Sequence, residues 1–342
     1  MLLGRGMTDT SLAPILSAAP PGHTAEDSLA LLTRHWGLTG RLDRLTSERD
    51  LNWRVTAPEG RFVLKFANAA EDPAVTRFQN GALDHVAARD PGLPVPRVIR
   101  SLTGAPDVTL PDGSLLRLLS WVDGVPMHLT ASSPAQRRDL GTMAARLTRA
   151  LEGFDHPAAN HELQWDLKQA AGLRPLLPAI ADAGLRARCG GWLDWFDRVR
   201  RRLDHLPWQV VHADLNPHNV LCAPDDPDRI AGVLDFGDMV RTPRICDLAV
   251  AAAYHVQPGA GLASLAEVTA GWGAILPLTP DEAALLPGLT ALRMVTTLAL
   301  TSHRAARWPD NAAYILRNFP SAEAGLLALP PAPDDLPQGP MP

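Results

Sequence analysis

One stretch near the middle of this 342-residue chain narrows the folds open to it more than any other feature. Val210-Val211-His212-Ala213-Asp214-Leu215-Asn216-Pro217-His218-Asn219-Val220-Leu221 runs from a hydrophobic strand into a polar loop and out into apolar residues again. Loops of this kind hold functional groups on a rigid scaffold. A second stretch, Val233-Leu234-Asp235-Phe236-Gly237-Asp238, ends a strand on a carboxylate followed by a glycine. Asp235 falls 21 residues after Asp214, and Asn219 only five after it.

The flanking sequence divides in character. Thr24 and Asp27 resemble a capping box ahead of Leu29, Leu32 and Trp36, which predicts a helix over 24–36. Leu42–Leu45, Asn52–Ala57 and Arg61–Phe66 read as strands, the last two joined by a tight turn at Pro58-Glu59-Gly60. Asp72-Pro73 starts a helix with proline where a missing N–H costs nothing. Leu93–Ile99 is extended, and a strand over 115–121 follows Pro111-Asp112-Gly113. From 134 onward the pattern turns to Ala/Leu/Arg-rich helices at 134–152, 187–204, 247–255, 260–274, 280–305 and 308–328, with two short strands at 209–212 and 230–234. The expectation is an α+β, bilobal chain: a small antiparallel β lobe with one inserted helix (24–122), then a larger, mainly helical lobe (123–330). Residues 1–23 are an N-terminal extension and 331–342 a loose tail. The two lobes are expected to share a cleft.

Phosphoryl transfer gives the loop spacing a meaning. The γ-phosphoryl group passes through a loose transition state, so a protein mainly positions reactants and neutralises charge. Mg²⁺ takes hard oxygen ligands, which the Asp235 carboxylate and the Asn219 amide supply from adjacent loops. Asp214 then holds an acceptor hydroxyl, orienting it first and taking its proton late, because an ordinary carboxylate is a weak base toward an alcohol. Lys65 is a single charge within Phe62-Val63-Leu64-Lys65-Phe66, a costly placement unless it meets an anion; the alternative is a lysine that blunts an edge strand. His212 is expected to hold the loop together by hydrogen bonding. Asp247 starts a helix and either caps it or braces the catalytic loop, with bracing favoured. Asp238 is divided among a support for the metal, an ammonium contact and a turn residue.

At these residues the chain resembles the aminoglycoside phosphotransferase and choline kinase superfamily, of protein-kinase-like fold, over residues 24–330. Ser47-Glu48-Arg49-Asp50-Leu51-Asn52, the segment from Asp235 to Asp238 and Arg241-Thr242-Pro243-Arg244 are similar to the hydroxylysine kinase branch. The resemblance implies an ATP or GTP donor and an amino-alcohol or hydroxy-amino-acid acceptor, with Lys65 on the α/β-phosphates. It also sets two departures. The first hairpin has no glycine-rich turn, which leaves phosphate cover to Ser47, Asn52, backbone amides or other polar side chains there. The inserted helix should carry a Glu for Lys65, yet its equivalent position is Gln79, with Glu71 and Asp84 as substitutes. Aminoglycoside O-phosphorylation is the second reading, which needs several carboxylates around the acceptor, Asp166, Asp238 and Glu267 being those considered. Asp166 is likewise a candidate for an acceptor ammonium, or an ordinary helix-start acid. A nucleotide-binding module without activity is the reading of another class.

Bulk properties exclude several roles. A formal net charge of -5 without a block of like charge argues against nucleic acid as a partner. Cys189, Cys222 and Cys246 show no metal-ligand spacing, which points to buried, reduced thiols. The apolar stretch from Leu12 to Ala19 makes a poor signal peptide, and no unbroken apolar run reaches membrane-spanning length. A cytoplasmic enzyme is expected, with Mg²⁺, a nucleotide and a small-molecule acceptor as partners, no membrane, and its oligomeric state left open.

Overall fold

The structure, a computed structural model, describes residues 21–47 and 50–335. The expected extension up to residue 20, Glu48 and Arg49 of the first hairpin, and the tail from 336 lie outside the described residues. The chain forms two compact units. One ends at Asp123 and takes in His156–Ala158; the other holds Gly124–Asp155 and resumes at Ala159.

The first unit begins with α1 (Ala25–Trp36), started by the capping box of Thr24 and Asp27 and stopped by Gly37 at φ 70°. A left-handed residue at that position favours glycine. Strands β1 (Arg41–Leu45), β2 (Leu51–Ala57), β3 (Gly60–Phe66), β4 (Val98–Ile99), β5 (Val108–Thr109) and β6 (Leu115–Ser120) form one antiparallel sheet in the order β1-β2-β3-β6-β4, with β5 also on β6. Alternation assigns the faces. Leu51, Trp53, Val55, Leu64, Phe66, Leu116 and Leu118 pack with Leu32 and Trp36 of α1, each such burial being worth about 1.5–3 kcal/mol. Asn52, Lys65 and Arg117 lie directly opposite one another in register on β2, β3 and β6, and so share the other face. Helix α2 (Pro73–Arg89) is capped by Asp72, whose Oδ1 accepts from the Ala74 N–H at 2.8 Å. Of the extended stretch expected over 93–99 only β4 is a strand, because Pro94 and Pro96 lack the N–H a ladder needs.

The second unit is built on helices α3 (Pro134–Ala150), α4 (Ala183–Val199), α5 (Ile245–Ala253), α6 (Gly261–Gly273), α7 (Pro280–Arg307) and α8 (Phe319–Ala328). Helices α3 and α6 touch backbone to backbone: a Cβ on Gly141 would lie 1.9 Å from the Val268 carbonyl oxygen, and one on Gly271 1.8 Å from that of Arg138. Helix α7 has the length and composition of a membrane span, yet its apolar residues from Leu285 to Leu300 are buried inside this unit as a core helix.

Where two strands were expected in this part of the chain, five form. Strands β7 (Val125–Pro126), β9 (Val220–Cys222) and β10 (Ile230–Val233) make one small sheet, and β8 (Trp208–Val211) pairs with β11 (Val240–Pro243) in another. A 3₁₀ run over Leu167–Ala179, with Pro175 and Pro178 inside it, was not foreseen. The helix expected over 308–328 is broken into 3₁₀ and α turns, and its regular part is α8. Pro320 cannot donate to residue 316, so a continuous helix across that point loses a bond.

Candidate active site

The loop between β8 and β9 carries the first motif, and its backbone is held in an unusual shape. Ala213 has φ 63°, a conformation that costs a non-glycine residue on the order of 1–3 kcal/mol and persists only where its surroundings enforce it. Two side chains do so. The fully buried Asp247, near the start of α5, accepts the Ala213 N–H through Oδ1 at 2.8 Å and the Thr148 hydroxyl through Oδ2 at 2.9 Å. Burial raises its pKa, with His212, Ala213 and Thr148 acting in the opposite direction. His212, also fully buried, accepts the Asp214 N–H on Nδ1 at 3.2 Å, and its Nε2 lies 2.9 Å from the Leu234 carbonyl oxygen. A neutral ring with its proton on Nε2 satisfies both. With its oxygens spent on Ala213 and Thr148, Asp247 braces the loop.

Asp214 projects from this loop with 18% of its side chain exposed. Oδ2 accepts from Asn216 Nδ2 at 2.8 Å and from Asn219 Nδ2 at 2.7 Å, while Oδ1 lies 2.8 Å from Arg293 Nη2 on α7. Burial pushes its pKa up to about 6, Arg293 and Asn216 pull it back, and Asp235 adds to the rise. Asn219 Nδ2 also donates to the Asp214 carbonyl at 3.1 Å. With its NH₂ group committed to Asp214, the Asn219 carbonyl oxygen is the end left to accept or ligate.

The second motif follows β10. Asp235 is exposed, in a left-handed turn at φ 59°, and its Oδ1 accepts the Gly237 N–H at 3.1 Å. The two loops are joined by the His212–Leu234 bond, by Leu234 N–H donating to the Asn219 carbonyl at 2.7 Å, and by the Phe236 ring edge-on to His212 at 4.9 Å. Among the described residues no group of three or more His, Cys, Asp or Glu side chains stands ready to hold a metal alone. An exposed carboxylate and an oriented amide oxygen do fit Mg²⁺, which is usually held by one or two protein oxygens plus substrate phosphates.

In the first unit, Lys65 Nζ lies 4.0 Å from Asp50 Oδ2, and Asp50 Oδ1 accepts the Asn68 N–H at 3.2 Å. The acid paired with the lysine is therefore the residue directly before β2. None of the three α2-side residues weighed from the sequence takes that place. Gln79 accepts from Arg117, Asp84 pairs with Arg100 at 2.5 Å, and Glu71 accepts from Thr76 at 3.0 Å. Ser47 Oγ accepts the Asp50 N–H at 3.2 Å and so helps to hold Asp50. Asn52 sits across from Lys65, with its Oδ1 buried and without a hydrogen-bond partner.

Three other carboxylates separate clearly. Asp166 is 3% exposed; it accepts from Thr242 Oγ1 at 3.0 Å, caps the 3₁₀ run and is ion-paired with Lys168. An acid so enclosed presents nothing to an acceptor ammonium, and the structure reads it as a brace. Glu267 is paired with Arg137 at 2.5 Å. Asp238 ends the short turn Phe236–Asp238, and its charge acts on Arg293.

Sequence reasoning missed the cations around Asp214. Arg293 comes from a helix 79 residues downstream, and no motif marks it. Arg317, exposed and lying over the Tyr314 ring at 3.9 Å, acts electrostatically on both Asp214 and His218. The His128 and His218 rings lie tilted with their centroids 4.0 Å apart, and burial, then His128 and Arg317, lower the His218 pKa.

The profile of the phosphotransferase enzyme family (APH) matches residues 42–287. Hydroxylysine kinase of Mus musculus is 26% identical over 330 residues, covering 88% of this chain and 87% of that protein. Hydroxylysine kinase of Danio rerio is 29% identical over 305 residues, covering 84% and 85%. A solved structure of a microcompartment-associated aminopropanol kinase superposes with a TM-score of 0.65 at 18% identity, over 86% of this chain and 97% of that one. The likeness at that identity shows a shared fold, the protein-kinase-like one the sequence led us to expect.

Proposed function

This chain belongs to the phosphotransferase enzyme family, and from that premise we propose that it phosphorylates the hydroxyl of a hydroxy-amino acid or amino alcohol of the hydroxylysine kind. It is a small-molecule kinase, a phosphotransferase acting on a hydroxyl acceptor. The observation that carries the acceptor class is the charge around Asp214. Arg317 is exposed and its charge acts on Asp214, and a cation so placed suits an acceptor bearing its own carboxylate. A polycationic aminoglycoside needs the reverse. Of the three acids weighed for it, Asp166 and Glu267 are already neutralised by Lys168 and Arg137.

The geometry supports the following roles. Asp214 orients the acceptor hydroxyl toward the γ-phosphorus of ATP or GTP and takes its proton as the new P–O bond forms and the bond to the departing nucleoside diphosphate breaks. Asn219 and Asp235 would hold Mg²⁺, which neutralises charge on the donor phosphates. His212 and Asp247 keep the loop in its strained shape. In the first unit, Lys65, kept in place by Asp50, binds donor phosphates, and Ser47 and Asn52 serve the same end. Gln79, standing where an acid was expected, argues only mildly for a non-catalytic module, and the intact Asp214, Asn219 and Asp235 argue against it; Asp50, 4.0 Å from Lys65, weakens the point further.

The test is a mass-spectrometric screen of hydroxy-amino acids, amino alcohols and kanamycin-type aminoglycosides with ATP and with GTP. Asp235→Asn serves as the inactive control, because Asn tolerates the left-handed turn while losing the charge. Phosphorylated 5-hydroxylysine or a related amino alcohol is expected with the wild type only. Phosphorylated aminoglycosides, with no product from the other two classes, would overturn the acceptor assignment.

A further inference from the structure

We propose that Arg293 is the positioning residue for the base, fixing the Asp214 carboxylate so that Oδ1 is the oxygen that receives the acceptor hydroxyl. The assignment rests on Asp214 being the acceptor-side base. Arg293 is 2% exposed, in the buried middle of α7. Its guanidinium is held on every side: Nε and Nη2 donate to the Tyr254 hydroxyl at 3.2 and 3.0 Å, Nη1 donates to the Trp165 carbonyl at 3.2 Å, and the Trp165 ring lies 4.9 Å from Cζ. Only then does Nη2 reach Asp214 Oδ1 at 2.8 Å. A guanidinium fixed by four such contacts is an anchor and not a mobile counter-ion, since its planar fork sets the direction of each bond.

The carboxylate's acceptor directions are divided unequally. Each oxygen offers roughly two lone-pair directions. On Oδ2 both are taken, by Asn216 and Asn219. On Oδ1 Arg293 takes one, which leaves the second for the hydroxyl of the acceptor. Without Arg293 only the two amide bonds to Oδ2 hold the carboxylate, Oδ1 has no fixed partner, and its open direction is less closely placed. Misplacement of a reacting group on that scale costs rate even where binding is intact.

Steady-state kinetics of Arg293→Gln, Arg293→Lys and Tyr254→Phe, alone and combined with Asp214→Asn, test this beside a nucleotide titration. For Arg293→Gln we expect kcat to fall about 10²-fold, within the range set by loss of a positioned base, while acceptor KM and nucleotide Kd stay within about threefold. Arg293→Lys should recover part of the lost kcat. Tyr254→Phe keeps the guanidinium and loosens it, and should lose about three- to tenfold in kcat. It also reads the proposal if Arg293→Gln folds poorly. In the Asp214→Asn background both changes should cost almost nothing further. A rise in acceptor KM at constant kcat would make Arg293 an acceptor ligand and overturn the proposal, as would losses that multiply undiminished on Asp214→Asn. A wild type inert toward every acceptor overturns the function reading and this assignment with it; an active wild type with an unimpaired Arg293→Gln overturns this assignment alone.

Discussion

Asn219 Nδ2 donates to Asp214 Oδ2 across 2.7 Å, so a single hydrogen bond orients both the amide assigned to the metal and the carboxylate assigned to the acceptor. Asn219→Asp tests that coupling. The variant still offers oxygen to a metal, but it sets a second carboxylate against Asp214, and two such groups cannot both stay ionised at that distance. We expect kcat to fall by at least about 10²-fold, with no recovery at high Mg²⁺. Full recovery on raising Mg²⁺ would reduce Asn219 to a metal ligand without influence on the base.

Asp247 holds the left-handed Ala213. Asp247→Ala strips the buried Ala213 N–H and Thr148 hydroxyl of their acceptor, a loss of about 2–4 kcal/mol in unfolding free energy for two such groups. Asp247→Asn keeps an oxygen for Ala213 and should lose less. Denaturant unfolding of the three proteins, with kcat measured on each, checks the order; an Asp247→Ala variant as stable as the wild type would contradict the bracing role.

Asp50 and Lys65 are partly exposed and 4.0 Å apart, so their pairing adds at most about 1 kcal/mol to stability. Its value is in aiming Lys65. Asp50→Asn should leave the melting temperature nearly unchanged and weaken nucleotide binding about three- to tenfold, and Lys65→Met should weaken it further. Isothermal titration with a non-hydrolysable nucleotide measures both. Unaltered affinity in Asp50→Asn would return the search for the lysine's partner to other residues.

His255 supplies a pH test away from the chemistry. Burial, with Arg137 adding to it, lowers its pKa to about 4, against an unfolded value of about 6.5. Between those values the unfolded chain binds the proton and the folded one does not, so stability is lost as pH falls from about 6.5 toward 4. Going from pH 7 to pH 5 this group should cost on the order of 2 kcal/mol. The raised pKa values of Asp214 and Asp247 tilt stability the other way, but they are common to wild type and His255→Gln and drop out of the difference. The variant should therefore lose less stability over that interval. Parallel pH dependences for the two proteins would show that His255 is not held neutral.

Much of this was legible because it is local. The β2–β3 hairpin, the capped starts of α1 and α2 and both loop motifs are each written in one short continuous run of sequence. Hydrogen bonds link the loop of Asp214 and Asn219 to His212, to Asp247 and to the strand end before Asp235. What stayed hidden depends on packing between distant segments. Arg293 looks like any polar residue on a long helix until α7 sets it against Tyr254, Trp165 and Asp214. Asp50 becomes the lysine's partner because the α2 position meant for an acid holds Gln79, which is spent on Arg117. Asp166 reads as an available acid until Lys168 and Thr242 are seen to enclose it. Strands as short as β9 and β11 carry too few residues for alternation to show.

The central claim is that Asp214 is the base facing the acceptor, and the most direct measurement is the kinetics of Asp214→Asn beside a nucleotide-binding titration of variant and wild type. The substitution keeps the shape and loses the charge and the basic oxygen. Because the transition state is loose, the carboxylate's work is orientation and late proton capture, and kcat should fall about 10²- to 10⁴-fold. Nucleotide affinity should barely change, since the lost interaction belongs to the acceptor. An unchanged kcat, or a parallel loss of kcat and nucleotide binding, would contradict the account.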